Sequence, residues 1–174
     1  LGGLRPVVED IKEYDSGFYR MEKTHHKSYN NNFALAIRGI SNSTSTLNAS
    51  AISFINQLGY TGRAHLTQYN GGTPPSDALL GIKYVIDNEN SKKYEGVYDF
   101  VEEIESDAYN VYKNPYALSF AYGVSQGIKE YDMEAYSNVF RRYNSLISTM
   151  VGEEEAIKVF RGVTNLTTSP GNCK

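Results

Sequence analysis

The 174-residue chain contains no tryptophan and a single cysteine, Cys173, which lies next to its C-terminus. A single thiol forms no disulfide within the chain, and cysteine usage does not decide the compartment. No apolar run approaches the roughly 20 residues that a transmembrane helix needs. An excess of positive charge is also missing, since the formal net charge is −3. Nucleic-acid binding is therefore not expected, because it requires a basic face that contacts phosphates.

The sequence motifs that mark common catalytic and nucleotide-binding sites are missing as well. The chain has no P-loop, no dinucleotide fingerprint, no HExxH and no GxSxG. Carboxylates such as those of Glu102 and Glu105 can be nominated for glycoside chemistry, but their separation in space decides that mechanism. His25 and His26 point to different sides of an extended chain and have no cysteine or third histidine near them in the sequence. We therefore predict no catalytic residue, no metal site and no cofactor.

Tyrosine, by contrast, is abundant, with 15 residues. Many are expected to be sheet and core aromatics whose hydroxyls reach water, and the functional alternative is a stacking surface for sugars. The length suits one domain with its own core, so we predict a single soluble domain over residues 1–174. The start, Leu1-Gly2-Gly3, is unlike a natural beginning, and a soluble piece of a larger protein fits it.

Helices are predicted from apolar spacing and from residues that begin or end them. An apolar stripe, made of Leu47, Ala51, Phe54, Ile55 and Leu58, predicts a helix over residues 46–58. Ser43 to Thr46 supply candidate N-caps, and Gly59 follows the last apolar residue. Gly71–Pro75 is expected to be a loop, after which Ser76 caps a short turn at Asp77–Leu80.

Further helices are predicted over Pro6–Tyr14 and over residues 132–151, where Asp132 is the expected N-cap and Gly152 the stop. A short helix from Glu153 and a return to the sheet at Val159–Phe160 follow in the prediction. Strands are predicted near residues 17–23, 33–38, 82–87, 97–104, 107–113 and 117–122. Together these elements predict an α+β fold, with a mixed, mainly antiparallel sheet and helices packed against it.

Several segments, in this order, carry a resemblance to a known family. They are Phe18-Tyr19-Arg20-Met21-Glu22, Ser41-Asn42-Ser43-Thr44, Leu58-Gly59-Tyr60, Tyr69–Pro74, Asp77–Val85 and Asn114-Pro115-Tyr116-Ala117-Leu118. In this set the sequence resembles the bacterial membrane protein YfhO family, whose members carry an "FYR.E" strand and an "N.yaL" segment. The resemblance covers most of the chain.

The resemblance implies a function that the residues alone do not. Proteins of this family are polytopic membrane proteins that look like glycosyltransferases using a lipid-linked sugar, implicated in decorating teichoic acids of Gram-positive envelopes. The chain would then be a non-catalytic domain on the extracellular side of the cell membrane. Its implied partners are the membrane-embedded remainder of the same chain and an envelope glycan or lipid-linked sugar. A protein–protein interaction module without sugar affinity and a free-standing glycan hydrolase are the alternatives.

The family pattern assigns no site residue, so the predicted binding surface rests on polar residues near the matching segments. It consists of Arg20, Glu22, Asn42, Ser43, Asn48, Tyr69, Asp77 and Lys83. Arg20 and Glu22 would share one face of the first strand and form an ion pair there. The structural alternative is that Asn42, Ser43 and Asp77 are turn and cap residues and that Lys83 is an ordinary strand-surface lysine.

Overall fold

The computed structural model describes residues 2–26, 28, 30–70 and 72–152. The chain divides into two compact units, residues 1–123 and residues 124–174. The helix predicted from Glu153 and the strand predicted at Val159–Phe160 lie outside the described residues. The organisation of residues 1–174 as a single domain stays a prediction.

The first unit contains short helices and short strands in alternation. Its helices are α1 (Leu4–Tyr14), α2 (Asn31–Ala34), α3 (Ala49–Gln57) and α4 (Pro74–Leu79). Its strands are β1 (Arg20–Lys23), β2 (Asn42–Ser43), β3 (Thr61–Arg63), β4 (Leu66–Gln68), β5 (Ile82–Asn88), β6 (Asp99–Phe100) and β7 (Tyr109–Lys113). The strands predicted over 82–87 and 107–113 are confirmed as β5 and β7, and β1 is shorter than the strand predicted over 17–23.

The strands form two sheets. Strands β1, β5, β7 and β6 lie side by side in that order. β1 pairs with β5 in parallel, whereas the pairs β5–β7 and β6–β7 are antiparallel. Strands β2, β4 and β3 form a second sheet, which is antiparallel. The predicted fold class is confirmed: a mixed, mainly antiparallel sheet with helices packed against it.

The hydrophobic core lies between α1 and the four-stranded sheet. Leu4, Val7, Val8 and Ile11 recur at helical spacing, and all four are at most 2% exposed. They pack against sheet residues such as Tyr84. The predicted helix over Pro6–Tyr14 is confirmed as α1, and it begins slightly earlier.

The helix predicted over residues 46–58 is confirmed as α3, but its start and its burial differ from the prediction. Asn48, rather than a residue of Ser43–Thr46, is the N-cap, and its side-chain oxygen accepts from the Ala51 N–H at 3.1 Å. Phe54 of the predicted stripe is 43% exposed. Because α3 packs beside the short strands β3 and β4, it contributes less to the core than its sequence predicts.

The strand predicted over residues 33–38 is wrong. Part of this run belongs to α2, and Ala36 has a positive φ of 52°. The Ile37 N–H donates to Asn32 O at 3.0 Å, which is the backbone bond of a Schellman motif. Leu35 and Ile37 are buried nonetheless, so the apolar run reflects core packing at a helix end.

Two other predicted strands are corrected. Of residues 97–104 only Asp99–Phe100 is a strand, because Val101 and Ile104 turn into the core. Residues 117–122 form no strand. The side chain of Asn114 accepts from the Tyr116 N–H at 3.0 Å, and this turn leads the chain away from β7.

The described part of the second unit contains a 3₁₀ helix, Gln126–Glu130, and the helix α5, Val139–Val151. The helix predicted over 132–151 is therefore confirmed only in its second part. Asp132 is not the N-cap, since its side chain accepts from the Glu134 N–H in a local turn. Asn138 takes that place, and Gly152 ends the helix at a φ of 83°, as predicted.

Replacing Asn138 with alanine is expected to lower the stability of α5 by about 1 kcal/mol. The Asn138 side chain accepts from the N–H groups of Phe140 and Arg141, at 3.0 and 3.1 Å, and alanine leaves both without this partner. Amide hydrogen exchange of these two groups is the measurement. Asp132→Ala is the matched control, and an equal or larger effect of that control would place the helix start at Asp132 instead.

Candidate functional site

Glu22 lies in β1 with its carboxylate fully buried. Its Oε1 accepts from the backbone N–H groups of Ile40 and Ser41, at 2.5 and 2.7 Å, and from the Asn32 amide at 3.1 Å. The buried Lys23 ammonium donates to the other end of that amide at 2.6 Å. Burial raises the pKa of Glu22 and lowers the pKa of Lys23, and the opposite charge of each residue counters the shift of the other. Asn32 therefore bridges a buried carboxylate and a buried ammonium.

The predicted ion pair of Arg20 and Glu22 does not form. Although both residues lie in β1, Glu22 is inside the protein and Arg20 is half-buried. The Arg20 guanidinium donates instead to the carbonyl oxygen of Leu80 at 2.6 Å, which ties β1 to the end of α4.

Asp77 is positioned by a capping box at the start of α4. Ser76 Oγ accepts from the Thr73 N–H at 2.8 Å, and Thr73 Oγ1 accepts from the Ser76 N–H at 3.5 Å. Pro74 and Pro75 are the first residues of the helix, where a missing N–H costs nothing. The loop predicted over Gly71–Pro75 is therefore wrong for Pro74 and Pro75, which belong to α4.

Three tyrosine hydroxyls donate to the carboxylate of Asp77, which is 1% exposed. Tyr60 donates to Oδ1 at 2.5 Å, and Tyr69 and Tyr98 donate to Oδ2 at 2.7 and 2.6 Å. The hydroxyl of Tyr94 donates to that of Tyr69 at 3.0 Å. Burial raises the pKa of Asp77, and the hydroxyls oppose this rise because they stabilise the charged form. The tyrosines of this Asp77–tyrosine cluster are core aromatics, as predicted, but their hydroxyls are buried and do not reach water as predicted.

Alkaline titration of the folded chain should separate these tyrosines from exposed ones. Burial raises the pKa of Tyr69, Tyr94 and Tyr98 far above the ordinary value of 10. A raised folded-state pKa gives stability that is complete below about pH 10 and is lost as the pH rises further. We expect the cluster to ionise together with unfolding, in a cooperative step of tyrosinate absorbance that coincides with loss of circular dichroism. Ionisation of all tyrosines near pH 10 with the fold intact would contradict the cluster.

Tyr69 joins the two buried groups. Its backbone N–H donates to Ser41 Oγ at 2.9 Å, and the Ser41 hydroxyl donates to Glu22 Oε2 at 3.0 Å. Three of the eight predicted site residues, Glu22, Tyr69 and Asp77, are thus brought together in one buried polar network. Of the others, Asn42 and Ser43 form β2 and Asn48 caps α3. Direct contact of these residues with a ligand stays a prediction.

A cavity of about 600 Å³ opens beside the end of α1. Its lining comes from the last turn of α1 and the residues after it, from the start of β1 and from residues 36–38. The side chains that give it chemical character are Lys12, Asp15, Phe18, Tyr19 and Arg38. The lining is more polar than that of most small-molecule pockets, but it combines aromatic rings with convergent charged groups, as ligand sites do. This cavity is the candidate functional site.

Asp15 carries the negative charge of the cavity. It accepts from the Lys83 ammonium, from the Tyr84 hydroxyl at 2.9 Å and from the Gly17 N–H at 2.9 Å. Burial raises the pKa of Asp15, but these donors outweigh it and leave the pKa below its ordinary value. Tyr19, whose hydroxyl donates to Asp15 O at 2.8 Å, has its pKa raised to about 12 by burial and by this carboxylate. At neutral pH the cavity therefore holds one carboxylate and one neutral phenol.

Aromatic rings and guanidinium groups alternate beside the cavity, whose lining includes Phe18 and Arg38. The Arg38 guanidinium lies 4.4 Å from the centre of the Phe18 ring, and the Arg20 guanidinium lies 5.4 Å from that of Phe120. The two phenyl rings meet edge to face, with centres 5.0 Å apart. We call these four residues the Phe18–Phe120 patch. Neither guanidinium forms a salt bridge with a carboxylate in the described part of the chain. Arg38, which lines the cavity, can therefore donate to an anionic group of a ligand.

Sequence reasoning found part of this site. It selected Lys83, which contacts Asp15, and Arg20, which lies over the Phe120 ring, but it missed Asp15, Tyr19, Arg38 and Phe120. Asp15 follows a predicted helix and Phe18-Tyr19-Arg20 belongs to a family segment, so two signals were present in the sequence. Nothing in the sequence places Phe120 beside Phe18, because that contact depends on the turn after β7.

The comparisons with known proteins give the class of protein. The chain belongs to a family of bacterial membrane proteins. That family is described as "Bacterial membrane protein YfhO", and its family model matches residues 4–172, nearly the whole chain. The resemblance seen in the sequence is thereby confirmed. No curated protein and no solved structure matches the chain. None of the helices in the described residues has the length and apolar character needed to cross a bilayer.

Proposed function

We propose that this chain is a non-catalytic extracellular domain of a polytopic membrane protein and assists the glycosylation of cell-envelope polymers such as teichoic acid. A membrane-embedded glycosyltransferase would carry out the transfer. The observation that carries the proposal is the cavity with aromatic and cationic groups in a member of a bacterial membrane protein family. The partners are the membrane-embedded remainder of the same chain and an envelope glycan or a lipid-linked sugar.

The side chains of the cavity support a phosphate-bearing glycan as the ligand. Phe18 is exposed beside the Arg38 guanidinium and the Phe120 ring, and the remaining apolar surface of its ring can pack on a sugar ring. Arg38 supplies a planar set of donors that fits a phosphate through two hydrogen bonds. Of the eight residues predicted from the sequence, we assign ligand contact to Lys83 and Arg20, because Lys83 contacts Asp15 of the lining and Arg20 lies in the Phe18–Phe120 patch.

Binding fits the cavity better than glycoside hydrolysis does. Glycosidases commonly use two carboxylates, and the general acid among them needs a raised pKa. Asp15 is the one carboxylate in the lining of the described cavity, and the Lys83 charge and hydrogen bonds hold its pKa low. A second acid–base partner is not provided by the described lining, which supports a role in holding a glycan rather than cleaving it.

Titration of the isotope-labelled chain with teichoic-acid fragments, followed by NMR, tests the proposal. We expect saturable shifts at the backbone amides of Phe18, Tyr19 and Arg38. Arg38→Gln should weaken binding about tenfold, since it removes a charge-assisted contact. Arg63→Gln is the matched control, because Arg63 is an exposed arginine of β3 in the other sheet.

The alternatives predict different results in the same experiment. An interaction module without sugar affinity gives no saturable shift at any fragment concentration. A glycan hydrolase releases free sugar, and a single carboxylate substitution abolishes that release. Either result would overturn the proposed function.

A further inference from the structure

The Phe18–Phe120 patch brings two exposed aromatic rings together at the surface of the first unit. Phe18 is 59% exposed and Phe120 is 65% exposed, although the two rings contact each other. Leu118 and Tyr122, in the same segment as Phe120, are exposed as well. Contiguous exposed apolar groups commonly mark a contact with a protein, a ligand or a membrane.

The patch is held in place rather than loosely attached. Leu118 N–H donates to Ala78 O at 3.0 Å, and the Tyr122 hydroxyl donates to Leu79 O at 3.2 Å. Arg20 is fixed to Leu80 O. Phe120 therefore lies between two residues, Leu118 and Tyr122, that are both hydrogen-bonded to the end of α4.

The charge of the patch is positive. The guanidinium groups of Arg20 and Arg38 each lie over a phenyl ring, and neither has a carboxylate partner in the part of the chain that the structure describes. Stacking on a ring leaves the edge of the Arg38 guanidinium free to donate to phosphate, whereas Nη1 of Arg20 already donates to Leu80 O. Phosphate groups therefore complement the arginines, and an apolar layer complements the rings.

We propose that the Phe18–Phe120 patch docks on the anionic phospholipid surface of the bilayer. Aromatic rings flanked by basic groups are typical of the membrane–water interface. The family consists of membrane proteins, so a bilayer lies near the chain at high effective concentration, and a weak contact suffices. Phe18 and Arg38 also line the cavity, so docking turns the cavity towards the headgroups, where lipid-linked ligands reside. The lipid contact itself does not require a glycan.

Co-sedimentation of the chain with vesicles tests this contact. We expect binding to phosphatidylglycerol vesicles at low salt, little binding to phosphatidylcholine vesicles and loss of binding at about 0.5 M salt. Arg38→Gln should lower the partition coefficient about fivefold, as expected for one basic residue at an anionic surface. The double variant Phe18→Ser/Phe120→Ser should lower it at least about tenfold.

Matched controls lie away from the patch. Phe100→Ser changes an exposed phenylalanine of β6, at the edge of the sheet opposite β1, and Arg63→Gln changes an exposed arginine of β3. Both should bind vesicles as the unmodified chain does, and circular dichroism checks that every variant is folded. Equal binding of the patch variants and the unmodified chain, or no preference for the anionic vesicles, would overturn the proposal. The glycan titration is a separate measurement, so its failure leaves the lipid result intact and the reverse also holds.

Discussion

Replacing Asp77 with alanine is expected to lower the free energy of unfolding by about 4 kcal/mol. The substitution removes the acceptor of three buried hydroxyls, those of Tyr60, Tyr69 and Tyr98, and leaves a cavity in their midst. Each buried polar group without a partner costs about 1–3 kcal/mol. Urea denaturation followed by circular dichroism is the measurement.

Two variants show whether the carboxylate itself is responsible. Asp77→Asn keeps the size and one acceptor oxygen, so we expect about half of the loss. Asp107→Ala removes an exposed carboxylate and should change stability by less than about 0.5 kcal/mol. A loss of under about 1 kcal/mol for Asp77→Ala would mean that the hydrogen bonds from the three tyrosine hydroxyls to Asp77 do not stabilise the fold.

Replacing Glu22 with alanine is expected to cost a similar amount, about 3–5 kcal/mol, because it leaves a buried charge without its partner. Lys23 would keep its buried ammonium without the carboxylate beyond Asn32, and the N–H groups of Ile40 and Ser41 would lose their acceptor. Urea denaturation measures this loss, with the exposed Glu102→Ala as the control.

A substitution at Gly39 independently tests the packing around the buried Glu22 carboxylate. A Cβ at this position would overlap Glu22 Oε1 and Asn32 Nδ2, and both side chains are buried and cannot move aside. Gly39→Ala should therefore destabilise the chain by about 3 kcal/mol. Gly123→Ala is the control, since its Cβ would meet nothing within 4 Å. Equal stability of the two variants would argue against tight packing of the Glu22 and Asn32 side chains against Gly39.

The elements that sequence predicted well are those whose local pattern and burial agree. The apolar spacing of α1 and the β-branched run of β5 each match the face that the structure buries. Gly152 ends α5 in a left-handed conformation, as its position predicts. The apolar run at 33–38 failed because such a run fits a buried helix end as well as a strand.

The Asp77–tyrosine cluster and the candidate site were less predictable because each is assembled from distant segments. Asp77 has the same local signature whether it is a turn residue or the centre of a cluster, and only the fold brings Tyr60, Tyr69 and Tyr98 to it. Likewise, Phe120 reaches Phe18 only after the turn at Asn114. The sequence carries the residue types, whereas tertiary packing decides which of them meet.

Labelling of the full-length protein in intact bacterial cells tests the proposed extracellular location most directly. Lys92 lies at an exposed position after β5, so a Lys92→Cys variant with Cys173→Ser should react with a membrane-impermeant maleimide. The same protein without Lys92→Cys is the control. We predict that the introduced thiol is labelled in intact cells; labelling only after the cells are lysed would contradict an extracellular domain and with it the proposed role in glycosylating envelope polymers.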